Sequence, residues 1–89
     1  MRPSTNSALI KALAAEMKAR RQELGLTQED LAGRAELDRP YISLMEVARK
    51  QPTLSVLHRL ALALELPLGA FMERVERRYL HQQAAAGTD

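Results

Sequence analysis

The stretch TQEDLAGRAELDRPYISLMEV, residues 27–47, decides the fold. It reads as two short helices joined by a tight turn. Thr27 followed three residues later by Asp30 is an N-terminal signature: the hydroxyl accepts a backbone N–H near Asp30, although aspartate is a weaker box partner than glutamate. Asp38 is a favoured N-cap for the second helix, and Pro40 falls in its first turn, where a missing N–H costs nothing. The segment between the helices is too short to let them lie antiparallel, so they must cross steeply. That crossing is the geometry that pushes a second helix into the major groove of DNA.

Working outward, Leu9, Ile10, Leu13, Met17 and Leu24 recur at helical spacing from Ser7 to Leu24, with alanines between them. Gly25 stops this first helix and Leu26 packs the corner. The second helix spans about 27–35 with Leu31, Ala32 and Ala35 inward, and the third about 39–47 with Ile42 and Met45 inward. Pro52 breaks the chain, and Thr53 caps a fourth helix whose inward set is Leu54, Leu57, Leu60, Ala61 and Leu64. Pro67 opens a fifth, from 68 to about 83. Residues 1–6 and 84–89 are expected to fray, leaving one domain over 7–83. No repeat, low-complexity linker or credible strand is present, so the class is all-α.

Composition agrees. With 89 residues, 46% of them hydrophobic and only Tyr41, Phe71 and Tyr79 aromatic, the core must be aliphatic, which suits packed helices. The absence of cysteine excludes disulfide scaffolds and cysteine metal sites. No apolar run approaches the roughly 18 residues of a membrane span, and MRPSTNSALIKALAA lacks a signal peptide's pattern. No membrane association is expected, and a cytoplasmic setting is. The net charge of +2 permits nucleic-acid binding without arguing for it. Residues 27–48 carry Glu29, Asp30, Glu36, Asp38 and Glu46 against Arg34 and Arg39, a local balance of −3. Basic residues flank them at Lys18, Arg20, Arg21, Arg49 and Lys50, so if DNA binds here these flanks must do most of the phosphate work.

The run LGLTQEDLAGRAELDRPYISLMEVARKQPTLSVLHRLALALELPLGAFM resembles the Cro/repressor-type helix-turn-helix family. The likeness covers about residues 9–72 and is carried by the L-G-L-T-Q entry, the L-D-R-x-Y-I-S opening of the third helix, Glu46, the Lys50–Pro52 stretch and L-x-x-L-A-x-A-L. It implies a five-helix lambda-repressor-like DNA-binding domain with an extended C-terminal helix. Family members are sequence-specific DNA binders, usually dimers, that regulate transcription. The opening LDRPYIS is particularly similar to that of restriction–modification controller proteins, although phage repressors and antitoxins of this size belong to the same family. Three departures stand out. The family usually has glycine at position 36, where the backbone tends to need positive φ; Glu36 there costs roughly 1 kcal/mol. Ala48 replaces another frequent glycine, and Leu44 and Val47 replace polar or basic residues.

A rotation of about 100° per residue puts Arg39, Pro40, Ser43, Leu44 and Val47 on one side of the third helix, opposite Ile42 and Met45. Arg39 is the strongest base reader, because its planar fork can bond O6 and N7 of one guanine; the alternative is a pair with Asp38, Glu36 or a phosphate. Ser43 suits a base edge or a phosphate, and Pro40 and Leu44 suit thymine methyls. Tyr41 faces sideways, to reach a phosphate or simply pack. Arg49, Lys50 and Gln51 suit the phosphate backbone, which fixes register rather than sequence. The resemblance assigns Gln28 a phosphate contact that also steadies the third helix. It further implies an ion pair between Arg21 and Glu46 that orients that helix.

Leu68, Met72, Val75 and Tyr79, spaced 4, 3 and 4, form a stripe on the fifth helix flanked by Arg74, Arg77 and Arg78. The stripe either packs on a second copy, giving a homodimer with two recognition helices about 34 Å apart, or folds back on its own domain. An enzyme is not expected. His58 and His81 lack a matched ligand cluster, no metal, nucleophile-elbow or phosphate-loop motif occurs, and no cofactor or small-molecule ligand is implied. Two readings stand. The first is a homodimeric transcriptional regulator on double-stranded DNA with a palindromic operator. The second is a protein-interaction or antitoxin-type module that presents Pro40, Leu44 and Val47 to a protein partner.

Overall fold

Where each helix begins is set by its cap. The computed structural model describes residues 5–86, and all the regular structure among them is helical: α1 (Ser7–Glu23), α2 (Gln28–Ala35), α3 (Arg39–Glu46), α4 (Leu54–Ala63) and α5 (Leu68–Ala86). Thr27 Oγ1 accepts from the Asp30 N–H at 3.0 Å while Asp30 Oδ2 accepts from the Thr27 N–H at 2.9 Å, a complete capping box. Thr53 caps α4 by accepting from the Val56 N–H at 3.2 Å. Asp38 begins α3 with extended backbone but makes no side-chain cap bond. The reason is local: Pro40 has no N–H to offer, and the Tyr41 N–H is already bonded to the Asp38 carbonyl at 3.0 Å.

The helix ends share one device. After α1, α2, α3 and α4 the chain turns through a single residue of positive φ: Gly25 (69°), Glu36 (57°), Ala48 (61°) and Glu65 (62°). In each case the next residue's N–H reaches back to the last turn, from Leu26 to Arg21, Leu37 to Ala32, Arg49 to Leu44 and Leu66 to Ala61, at 2.9–3.0 Å. Only the first of these turns uses glycine. The other three hold ordinary residues in a left-handed conformation that costs roughly 1–2 kcal/mol each, offset in part by these backbone hydrogen bonds.

The core is the expected aliphatic one with an addition. Met17, Leu31, Ile42, Met45, Leu60, Leu64 and Phe71 are fully buried. Phe71, absent from the apolar stripe expected on the fifth helix, is the largest buried side chain. α5 packs against α1 and α4, and α3 rests on α1 and α2. Leu54, expected inward, is 70% exposed because it lies in the first turn of α4, where no other element covers it. Leu9 is also exposed.

The ends differ from expectation where they are described. Asn6, placed in the frayed segment, caps α1 by accepting from the Leu9 N–H at 3.0 Å and donates to the Tyr79 hydroxyl at 3.3 Å. α5 continues to Ala86, three residues past its expected end, through alanines of the highest helix propensity. The remainder of the two segments expected to fray, residues 1–4 and 87–89, lies outside the described residues. Among the described residues, no helix is by itself long and apolar enough to cross a membrane.

Candidate nucleic-acid interface

The outward side of α3 is built by its inward side. Ile42 and Met45 are buried against the core, and this rotates Arg39, Pro40, Leu44 and Val47 into solvent, with Ser43 half-buried between them. Leu44 is 43% and Val47 61% exposed. Among the described residues, no other helix covers this surface. Among the described residues, Arg39 forms no ion pair, with Asp38 and Glu36 included. Its guanidinium therefore keeps its five donors available.

Behind the face lies a polar bracket. Glu46, at the end of α3, is nearly buried, its side chain 2% exposed, and accepts three hydrogen bonds. Arg21 Nε reaches Oε2 at 2.7 Å, Arg21 Nη2 reaches Oε1 at 3.0 Å, and Gln28 Nε2 reaches Oε1 at 3.0 Å. Arg21 also donates to the Leu26 carbonyl at 2.7 Å. The hydrogen bonds that Arg21 donates to Glu46 raise its pKa, against the opposing effect of burial. One carboxylate thus ties α1, the start of α2 and the end of α3 together. The Gln28 amide is engaged internally through this bond, at the N-terminus of α2.

After α3, Arg49, Lys50 and Gln51 are exposed, and Lys50 Nζ sits 5.7 Å from the centre of the half-buried Tyr41 ring. Tyr41 therefore packs partly against the core and partly beneath a lysine. Pro52, next along, is buried and anchors this basic loop.

The α5 stripe divides. Val75, expected to face a second copy, is only 3% exposed and belongs to the chain's own core, because α5 folds back along α1. Tyr79 is half-buried and bonded to Asn6 at the start of α1. Leu68 and Met72 are half-buried at the core edge. Met72 lines an open apolar groove of about 500 Å3 together with Leu9, Leu13, Pro52 and Leu57.

Several polar groups escaped sequence reasoning because their partners are far apart in the chain. Glu16, buried in α1, receives Arg74 Nε at 2.8 Å and Arg78 Nη2 at 3.1 Å, and Arg74 also meets Glu23 at 2.8 Å. Burial opposes the charge on Arg74, but the hydrogen bond and charge of Glu16, then Glu23, outweigh it and raise its pKa. Arg34 and Arg59, also unassigned by the sequence, bond to backbone carbonyls across α2 and α4. An i, i+3 or i, i+4 rule can find Arg20–Glu23 and Arg77–Glu73; nothing local marks the long-range pairs.

Two short helices crossing at a tight turn, the second bare on its outer side and resting on α1 and α2, define a helix-turn-helix domain. The chain belongs to the helix-turn-helix family of Cro/repressor type, whose family model matches residues 17–71. The chain is 36% identical over 64 residues to the HTH-type transcriptional regulator DdrOP3 of Deinococcus deserti, a match covering 72% of this chain and 50% of that protein. It thus spans about half the length of that relative. It is 46% identical over 48 residues to an uncharacterized HTH-type transcriptional regulator of Methanothermobacter thermautotrophicus, covering 54% of this chain and 70% of the other. Among solved structures, the restriction–modification controller protein C.Esp1396I superposes with a TM-score of 0.76 at 35% identity, over 81% of this chain and 95% of that one. The same controller protein has been solved as a tetramer on its natural 35 base-pair operator. The fold is also that of the clp gene regulator ClgR of Corynebacterium glutamicum, with a TM-score of 0.82 at 24% identity over 94% of this chain and 87% of that one.

Proposed function

We propose that the chain is a sequence-specific DNA-binding transcriptional regulator that acts as a homodimer and lays α3 in the major groove of a palindromic operator. The observation that carries this reading is the outer surface of α3: an uncovered Arg39 at its start, Ser43 and Leu44 beside it, and a rigid polar bracket behind it. Support also comes from the likeness to a controller protein that has been solved on its operator.

The roles come from chemistry and position. Arg39 reads a guanine through two parallel bonds, Pro40 and Leu44 press against thymine methyls, and Ser43 bonds a base edge. Arg49, Lys50, Gln51 and the Tyr41 hydroxyl meet phosphates on one side of the groove, and the start of α2 at Gln28 meets them on the other. A two-fold dimer sets two α3 helices about 34 Å apart, one turn of B-DNA. Met72 and the exposed Leu9, which line the groove, offer the apolar surface for the second copy, with Leu68, half-buried at the core edge, on the same stripe. Tyr79 extends the stripe toward the end of α5, and Val75 supports the groove from beneath.

Selection of bound sequences from random duplexes tests the reading, together with titration of the winner against salt. The affinity should fall with a log–log slope of about −0.9 for each phosphate neutralised. Failure to enrich any sequence, or salt-insensitive capture of a protein through Pro40, Leu44 and Val47, would replace the DNA reading with the interaction-module one.

A further inference from the structure

Two arginines exchange caps between α2 and α4. Arg59 of α4 donates from Nε to the Ala35 carbonyl at 3.0 Å and from Nη2 to the Glu36 carbonyl. Its guanidinium also lies 3.9 Å from the Glu36 carboxylate. In return Arg34 of α2 donates to the Ala63 carbonyl at 3.3 Å and to the Glu65 carboxylate at 3.1 Å. Each arginine thus sits at the negative end of the other helix, on carbonyls the helix itself leaves unpaired. Each one also grips the residue that turns with positive φ: Glu36 at 57° and Glu65 at 62°.

The two turns lead into different elements. Glu65 leads into α5, whereas only Leu37 and Asp38 separate Glu36 from the first residue of α3. The peptide plane whose oxygen Arg59 holds is therefore the one that directs the chain into α3. α3 itself packs on α1 and α2, and Arg59 is α4's hydrogen-bonded hold on the turn that aims it. A glycine at 36 adopts this conformation unaided, whereas a glutamate returns toward ordinary negative φ when released.

We propose that Arg59 is a positioning residue for operator recognition, clamping the Ala35 and Glu36 carbonyls so that a non-glycine turn keeps α3 at its reading angle. The inference rests on the DNA-binding reading above. It makes Arg59 and the residue at 36 one functional unit: a chain with glutamate at 36 needs the clamp, and a chain with glycine there does not.

The experiment compares wild type, Arg59→Met, Glu36→Gly and the double variant on the duplex enriched by the wild type and on a random duplex at the same salt. Methionine keeps the length and apolar stem of the side chain and removes the donors. Arg59→Met should lose about tenfold on the enriched duplex, the scale of one lost charge-assisted bond, and change little on random DNA. Glu36→Gly should bind at least as well as wild type. In its background Arg59→Met should cost less than about twofold, because the clamp has nothing left to restrain. Circular dichroism and melting accompany each protein. Should Arg59→Met fail to fold in the glutamate background, the glycine background still decides. Equal losses in the two backgrounds, or an undiminished preference for the enriched duplex in Arg59→Met, overturn the proposal while leaving DNA binding intact. A wild type that enriches no sequence sinks both.

Discussion

Replacing Glu46 by alanine removes the group on which three side-chain hydrogen bonds converge. Its effect can be worked out from the bracket's geometry. The Arg21 side chain is 11% exposed and that of Glu46 2% exposed, so the pair is shielded from water and the orphaned guanidinium cannot simply resolvate. Breaking such a pair from one side costs about 3–5 kcal/mol. Arg21 keeps its bond to the Leu26 carbonyl, which places the loss at the lower end, about 3 kcal/mol. In a domain of this size each kcal/mol moves the melting midpoint by about 4–8 °C, so the drop should be at least about 12 °C. Glu46→Gln keeps the shape and one acceptor oxygen and should lose about half as much. The assay is thermal denaturation monitored by circular dichroism in the far ultraviolet, with operator binding measured well below each midpoint. Operator affinity should fall in the same order, because the lost anchor frees the end of α3 and the side chain of Gln28 together. A midpoint within about 3 °C of wild type for Glu46→Ala would refute the idea that this bracket is shielded and holds α3, since the expected shift is several times larger.

The remaining expectations concern DNA, the second copy and pH. Arg39→Ala should cost about 1–3 kcal/mol of operator affinity and relax preference at one base position, whereas Lys50→Ala should weaken all sequences alike and flatten the salt slope by about one per site; competition binding across single-base operator variants separates the two. Met72→Glu should yield a folded monomer by sedimentation, while Val75→Glu should unfold the chain, because a carboxylate at that depth finds no partner. A folded dimer in Met72→Glu would remove the groove edge from the interface. The bond from the Thr27 N–H lowers the Asp30 pKa in the folded chain. A carboxyl with a depressed folded pKa contributes its stability above its ordinary range, near pH 4, and loses it as pH falls through the lower folded value. Asp30→Asn should therefore flatten the acid limb of the stability curve there and leave it unchanged at neutral pH apart from a constant offset, as read by urea melts at successive pH values.

Much of the domain is visible in local patterns. The Thr27 capping box, the Thr53 cap, Pro40 in a first turn and the spacing of Leu31, Ile42, Met45, Leu60 and Leu64 each depend on residues within one or two turns, so the five helices and their inward faces can be read in order. The outward side of α3 comes from the same periodicity: once Ile42 and Met45 must be inside, Arg39, Leu44 and Val47 must be outside. Local rules also misjudged specific places. Asp38 satisfies every sequence preference for a cap, yet its neighbour Pro40 removes one of the N–H groups it would bind. Leu54 continues the buried stripe of α4 into a first turn left open to solvent.

Tertiary structure decided the rest, for a common physical reason: those interactions join groups far apart in the chain. The stripe on α5 is equally apolar whether it faces a partner or its own domain, and only the docking of α5 along α1 put Val75 inside. Glu16 reads as a solvated surface acid until α5 brings Arg74 and Arg78 onto it. Glu36, in a turn where the family favours glycine, looks like a flaw in the sequence. Arg59 of α4 reaches its carbonyl only in the folded chain, and there a left-handed glutamate can aim the helix that comes after it.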